Sequence, residues 1–157
     1  MAHSSRSSCS CILCSACLLG VRCRYNGKSK PYPHLQKLAQ KFCLIPVCPE
    51  ILGGLGIPRE KAEIQKDKVI TLSGKDITSA FLRGARETLK IARLLNAKVA
   101  IFADKSPSCG VHFIYDGSFT GKLIKGEGIT TKLLREHGIK VFTPEDLRKS
   151  EIDKLLH

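Results

Sequence analysis

Phe42-Cys43-Leu44-Ile45-Pro46-Val47-Cys48-Pro49-Glu50 is the stretch on which the fold turns. Its first six residues form the short apolar run expected of a buried strand. Pro49 has no backbone N–H and cannot continue a central sheet, so the strand is expected to stop at Cys48. A thiol is then left at a strand tip with a carboxylate two residues on. In extended chain, residues i and i+2 point the same way, which would aim Cys48 and Glu50 at one site. A soft metal ligand beside a proton donor is a useful chemical pair. Taken alone, an inert buried Cys and a surface Glu is the simpler account.

Working outward from this strand, the pattern alternates. Residues 11–17 (Cys-Ile-Leu-Cys-Ser-Ala-Cys) read as another buried strand, preceded by a Ser-rich stretch expected to be a flexible tail over residues 1–10. Between the two strands lie a basic loop with a turn at Asn26-Gly27 and a helix over residues 33–42. After Glu50, Gly53, Gly54, Gly56 and Pro58 predict a loop over residues 51–64, then a short strand over 68–72. Residues 76–96 carry the strongest helical periodicity (Ile77, Phe81, Gly84, Thr88, Ile91, Leu95), with Asp76 as N-cap. A buried strand over 99–103 follows, then a hairpin around Asp116-Gly117 within residues 113–119, a helix over 129–137 and a strand over 139–142. Thr143-Pro144-Glu145-Asp146 opens a final helix. Strands alternating with helices predict one α/β domain over residues 11–157. Its sheet is expected to be mainly parallel and flanked by helices in a Rossmann-like, three-layer arrangement.

Composition narrows the function. The chain has 157 residues, with 26 Lys+Arg against 14 Asp+Glu and a net charge of +12. That balance favours anionic partners, RNA or a nucleotide-like substrate first, although a solvated basic surface accounts for it as well. With 6% aromatic residues and no Trp, a stacking platform for single strands is not evident. Eight cysteines would suit a secreted disulfide framework, but the chain shows no export signal. The apolar run from Cys11 to Val21 is shorter than the roughly 18–20 residues of a membrane span. A cytoplasmic, thiol-rich protein with no membrane segment is expected, its cysteines pointing to metal or redox chemistry.

In open α/β sheets ligands sit beyond the carboxyl ends of the strands. Cys17, Cys48 and Cys109 occupy that place in three predicted strands, so parallel pairing would bring them to one rim. Three thiolates suit Zn²⁺ with an open position or an iron–sulfur cluster. A rival grouping is Cys11, Cys14 and Cys17 with Cys48-Pro49, close to a bacterial ferredoxin pattern. That pattern needs its fourth Cys three residues on, and Leu18-Leu19-Gly20 holds none. Arg59 is a candidate to meet an anionic group on a substrate, with a structural salt bridge as the competing role. His112 is expected to be an ordinary strand residue, His34 a solvated one, and Cys9, Cys23 and Cys43 incidental.

Ser15-Ala16-Cys17-Leu18-Leu19-Gly20, Cys23-Arg24-Tyr25-Asn26-Gly27-Lys28-Ser29, Cys48-Pro49-Glu50-Ile51-Leu52-Gly53-Gly54 and Ser106-Pro107-Ser108-Cys109-Gly110, in that order, resemble the thiouracil desulfidase family. The likeness runs from about residue 11 to residue 146. It departs modestly, with Asn26 and Gly56 where the family often has Asp and Pro. The resemblance implies a [4Fe–4S] cluster held by Cys17, Cys48 and Cys109, its fourth iron free to take the sulfur of a 4-thiouracil-like substrate. Glu50 would then transfer protons, assisted by Ser106 or, as second choice, Ser108. The partner would be a thiolated pyrimidine, free or within a nucleoside or tRNA. A non-catalytic zinc- or RNA-binding module is the competing reading.

Overall fold

The computed structural model describes residues 9–148, so most of the expected tail and the end of the final helix lie outside the described residues. Cys11–Ser15 (β1) is buried on both faces, as an apolar run in the middle of a parallel sheet must be. The chain returns through a short helix, His34–Leu38 (α1), to Cys43–Val47 (β2). β2 pairs parallel with β1 and forms an edge, where Pro46 lacks an N–H at no cost to a central ladder. Pro49 does more than end this strand. It occupies the first turn of a helix, Pro49–Leu52 (α2), a position where its missing N–H has no partner to lose.

The stretch expected to be a loop over 51–64 is shorter than that, because Ala62–Gln65 (β3) pairs antiparallel with Lys68–Thr71 (β4). Thr78–Leu94 (α3) follows. The N-cap position falls on Ile77 rather than the expected Asp76, whose carboxylate still accepts the Thr78 backbone N–H at 2.9 Å. Val99–Ile101 (β5) lies beside β1. The predicted hairpin forms from Phe113–Tyr115 (β6), but its partner is Leu123–Lys125 (β7), beyond the predicted turn. The connecting loop is held by Glu63, whose buried Oε1 accepts the N–H groups of Gly117 and Phe119, each at 3.1 Å. That long-range contact is not written in the local pattern. Ile129–Glu136 (α4) and Lys140–Phe142 (β8) complete the order β2-β1-β5-β8, all parallel.

Alternation along the strands builds two cores. Leu13, Ala100 and Val141 face α3 and α4 with Leu89, Ala92 and Leu134, whereas Ile12, Cys14, Val99 and Ile101 face Leu18 and Leu35 on the other side. The result is a single α/β domain with a parallel sheet between helical layers. Among the described residues no helix is long and apolar enough to cross a membrane.

α2 rides directly on the backbone of α3. A Cβ on Gly84 would overlap the Pro49 carbonyl, and one on Gly53 would overlap that of Ala80. Gly84→Ala is therefore expected to destabilise the fold by about 1–3 kcal/mol through overpacking, read as a lower urea midpoint. Because α2 carries Glu50, the same change should disturb the site that follows.

Candidate active site

The carboxyl ends of β1, β2 and β5 meet at one rim, where three loops deliver the side chains singled out by the sequence. β1 stops at Ser15, earlier than expected, and the chain makes one 3-10 turn over Ala16–Leu19. Cys17 thus sits in a turn beyond the strand tip. Gly20 closes the turn at φ +97°, a backbone geometry that disfavours any side chain. The Ser15 hydroxyl oxygen accepts the Ala103 N–H at 3.0 Å, fastening this turn to the end of β5. Cys48 caps α2, and Glu50 stands in the helix's first turn. The extended-chain argument for pairing Cys48 with Glu50 therefore fails locally, yet both reach the same cavity.

That cavity has a volume of about 220 Å³, and Cys17, Cys48, Cys109, Glu50, Arg59, Ser106 and Ser108 all line it. Cys17 is an electrostatic neighbour of both Cys48 and Cys109. Burial pushes the Cys17 thiol up, with the Arg24 guanidinium opposing. Burial pushes Cys109 up much further, against hydrogen bonds from Ser15 and Ser108. Buried thiols of this kind become thiolates when a bound cation replaces the proton.

Beside the thiols lies a connected polar array. Glu50 Oε1 faces Arg59 Nε at 3.3 Å, in an ion pair whose side chains are 17% and 9% exposed. Arg59 also donates to the Cys23 carbonyl at 2.9 Å and the Gly56 carbonyl at 3.2 Å. The salt-bridge role is thus the one Arg59 displays. Ser108 Oγ donates to Glu50 Oε2 at 3.3 Å and lies 3.2 Å from Ser106 Oγ. Ser106 Oγ in turn accepts the N–H groups of Ser108 and Cys109, both at 3.1 Å. The arrangement can relay a proton from a carboxylate through two hydroxyls beside three thiols.

Two residues here escaped sequence reasoning. Cys23 is buried and lines the cavity with the other three thiols. This corrects its expected incidental role, and its place at the head of the Cys23–Ser29 stretch was the signal available. Asp104 organises the Ser106–Gly110 loop: one carboxylate oxygen accepts N–H groups of Lys105, Val111, His112 and Phe113 at 2.8 to 3.2 Å. Burial works to raise the Asp104 carboxyl, and these four N–H groups outweigh it, holding it below the ordinary range. A carboxyl depressed by folding stabilises the protein above its unfolded value, about 3.9, and the contribution vanishes as pH falls through the folded value. Asp104→Ala is expected to cost about 1–3 kcal/mol near neutrality, toward the lower end because the group is partly solvated. The difference from wild type should shrink on acidification below about pH 4 in urea titrations.

The remaining candidates lie elsewhere. His112 is exposed and pairs with Asp146 at 2.8 Å, and His34 is exposed at the start of α1. Cys14 is buried in the core facing α1, where burial pushes its thiol up to about 12. Cys11 neighbours Cys9 and Cys43 at the amino end of the sheet. The ferredoxin-like grouping is therefore split between two ends of β1. Among the described residues, no three Cys, His, Asp or Glu side chains are placed to hold a single metal ion. A tetrahedral zinc at about 2.3 Å from each sulfur would need thiolates gathered on one point. Soft thiol donors lining a common cavity suit zinc or a polynuclear iron–sulfur group.

Comparison with known proteins agrees with this chemistry. The family model described as 2-thiouracil desulfurase matches residues 12–146. The uncharacterized protein YbbK of Bacillus subtilis (strain 168) is 41% identical over 146 residues, covering 87% of this chain and 97% of that protein. A solved structure of the [4Fe-4S]-dependent thiouracil desulfidase TudS superposes with a TM-score of 0.88 at 41% identity, covering 94% of this chain and 99% of that one. The chain belongs to the 2-thiouracil desulfurase family.

Proposed function

We propose that this protein is a [4Fe–4S]-dependent desulfidase that converts a thiolated uracil and water into uracil and hydrogen sulfide. The observation that carries the reading is the meeting of Cys17, Cys48 and Cys109 in one cavity with Glu50, Ser106 and Ser108. The likeness to TudS at 41% identity supports it. Cys17, Cys48 and Cys109 would hold the cluster, which when bound supplies a soft, Lewis-acidic iron suited to the substrate's sulfur.

The chain's own residues account for the proton movements. Exchanging C=S for C=O moves two protons from water to the departing sulfur. Glu50, hydrogen-bonded to Ser108 beside the thiols, is the carboxylate placed to accept and return them. Arg59 on Oε1 and Ser108 on Oε2 hold the carboxylate from both sides. Ser106 Oγ accepts two backbone N–H groups and, with the Ser108 proton directed to Glu50, its own O–H is the donor toward Ser108, from which a bound substrate would redirect it. Its orientation, fixed by those two bonds, supports it ahead of Ser108 as the assisting hydroxyl. The zinc-module reading has less support, because the likeness to TudS, named as [4Fe-4S]-dependent, favours a cluster.

The cavity admits one heterocyclic ring rather than a folded nucleic acid. Arg24, Lys30, Lys61 and Lys105 also line it, which favours an anionic form of the substrate such as a nucleotide or the flipped-out base of a thiolated tRNA. Anaerobic reconstitution followed by a sulfide-release assay tests the proposal on 2-thiouracil, 4-thiouracil, 4-thiouridine, its monophosphate and thiolated tRNA. Sulfide release is expected, with KM rising with salt for the charged substrates and not for the free base. A folded protein that takes up no iron or sulfide, or releases no sulfide from any of them, would refute it.

A further inference from the structure

We infer that Cys11 and Cys43, at the end of the sheet remote from the proposed active site, form a reversible disulfide site that small-molecule disulfides oxidise. The two residues stand opposite each other in the parallel register of β1 and β2. Neighbouring strands run about 4.8 Å apart, within the roughly 4.4–6.8 Å between Cα atoms that a disulfide spans. Both side chains leave the same face of the sheet. Cys11 alternates with Leu13 and Cys43 with Ile45, and Cys11, Leu13 and Ile45 all pack on the core beneath α3 and α4. A disulfide holds its Cβ atoms at roughly 3.5–4.5 Å, a little closer than the ladder spacing. Cys43 is exposed and is the first residue of the edge strand, where a sheet yields most readily, and Cys11 is half-buried. The other thiols nearby are less well placed. Cys14 stands opposite Pro46 and Ile101, and the Cys9 sulfur lies 3.9 Å from the Lys41 carbonyl, two residues short of Cys43.

The solvent-facing Cys43 thiolate attacks one sulfur of a low-molecular-weight disulfide, leaving a mixed disulfide and releasing one thiolate. The Cys11 thiolate then attacks the Cys43 sulfur, closing the Cys11–Cys43 bond and releasing the second. The two cysteines lose two electrons to the oxidant, and their two protons end on the two released thiols. Excess free thiol runs the exchange backwards, and an exposed bond is the kind that reopens. The bond would join the amino ends of the two strands whose carboxyl ends lead to Cys17 and Cys48. Closing the chain across α1 also restricts the unfolded state, which stabilises the fold.

Anaerobically purified wild type, Cys9→Ser, Cys11→Ser and Cys43→Ser test this after treatment with excess oxidised glutathione, alkylation, trypsin digestion and mass spectrometry. A linked pair of peptides, one from β1 and one from β2, is expected in wild type and Cys9→Ser and should vanish with dithiothreitol. It should be absent from Cys11→Ser and Cys43→Ser, variants that assign the bond because the same peptides carry Cys14, Cys17 and Cys48. The urea midpoint should be higher for oxidised than for reduced wild type and should not respond to oxidation in Cys43→Ser. Full alkylation of Cys11 and Cys43 after oxidation would overturn the inference, as would glutathione left on Cys43 with no internal bond. So would a link that persists in Cys11→Ser or Cys43→Ser, or one lost in Cys9→Ser. None of these readouts needs iron or substrate, so failure here leaves the desulfidase reading standing, and failure of that reading leaves this site untouched.

Discussion

Cys48→Ala is expected to abolish stable uptake of iron and sulfide on anaerobic reconstitution and to lower sulfide release by at least about 10²-fold, beyond the range of losses seen for outer-shell partners. The expectation follows from position. Cys48 lies between the end of β2 and α2, with its backbone fixed by the parallel ladder on one side and Pro49 on the other. No other thiol can take its place without moving a strand end, because Cys17 and Cys109 are fixed by different loops. Cys23 is the nearest substitute, and its backbone is tied down by Arg59 and Val21. Folding should survive, since Cys48 is only partly buried and belongs to neither apolar cluster. Cys14→Ala is the matched control. Cys14 is buried in the core facing α1, so its loss should lower stability through a small cavity while leaving iron content near one cluster per chain. Equal iron loss in both variants would revive the ferredoxin-like grouping of Cys11, Cys14 and Cys17.

The contrast between Cys14 and Cys48 shows where local pattern stops informing. Helix α3 was readable because its periodicity repeats over many residues. Phe81, Gly84 and Thr88 of the expected face are buried, whereas Ile77 and Ile91 are partly covered and Leu95 is exposed past the helix end. Ala85, Leu89 and Ala92 complete the buried face. The four sheet strands were readable as apolar runs, and their parallel order followed from the helices between them. From those two facts the rim carrying Cys17, Cys48 and Cys109 could be located. What could not be read was the geometry beyond the strand tips. The 3-10 turn that lifts Cys17 off the strand depends on Gly20 adopting a left-handed conformation and on Ser15 tying to Ala103. The helical turn under Glu50 overrode an extended-chain inference. β7 was missed because its three residues are all exposed and carry no alternation. Cys23 and Asp104 act through contacts to loops distant in sequence, and no spacing rule marks such a contact.

Glu50→Gln is expected to keep full iron and sulfide content and colour while lowering turnover by about 10²–10⁴-fold, the range for losing a positioned proton carrier. Glutamine preserves the length of the side chain and can still accept from Ser108, so the polar array keeps its shape. It removes the charge facing Arg59 and the ability to take a proton. The loss should fall on kcat, with KM changing little, because the cavity walls that receive the ring are untouched. Arg59 complicates the comparison, since its side chain is 9% exposed and would be left without a counter-charge. Part of any effect of Glu50→Gln would then be displacement of Arg59 and, through the Cys23 carbonyl, of the Cys48 surroundings. Arg59→Lys separates the two. Lysine retains the charge but not the fork that reaches Glu50, Cys23 and Gly56 together, so this variant should loosen the array while keeping the carboxylate. A drop of about tenfold or less in Arg59→Lys beside a far larger one in Glu50→Gln assigns proton transfer to Glu50 itself. Wild-type turnover in Glu50→Gln would strip the residue of that role, and equal losses in both variants would make it a partner of Arg59 and nothing more.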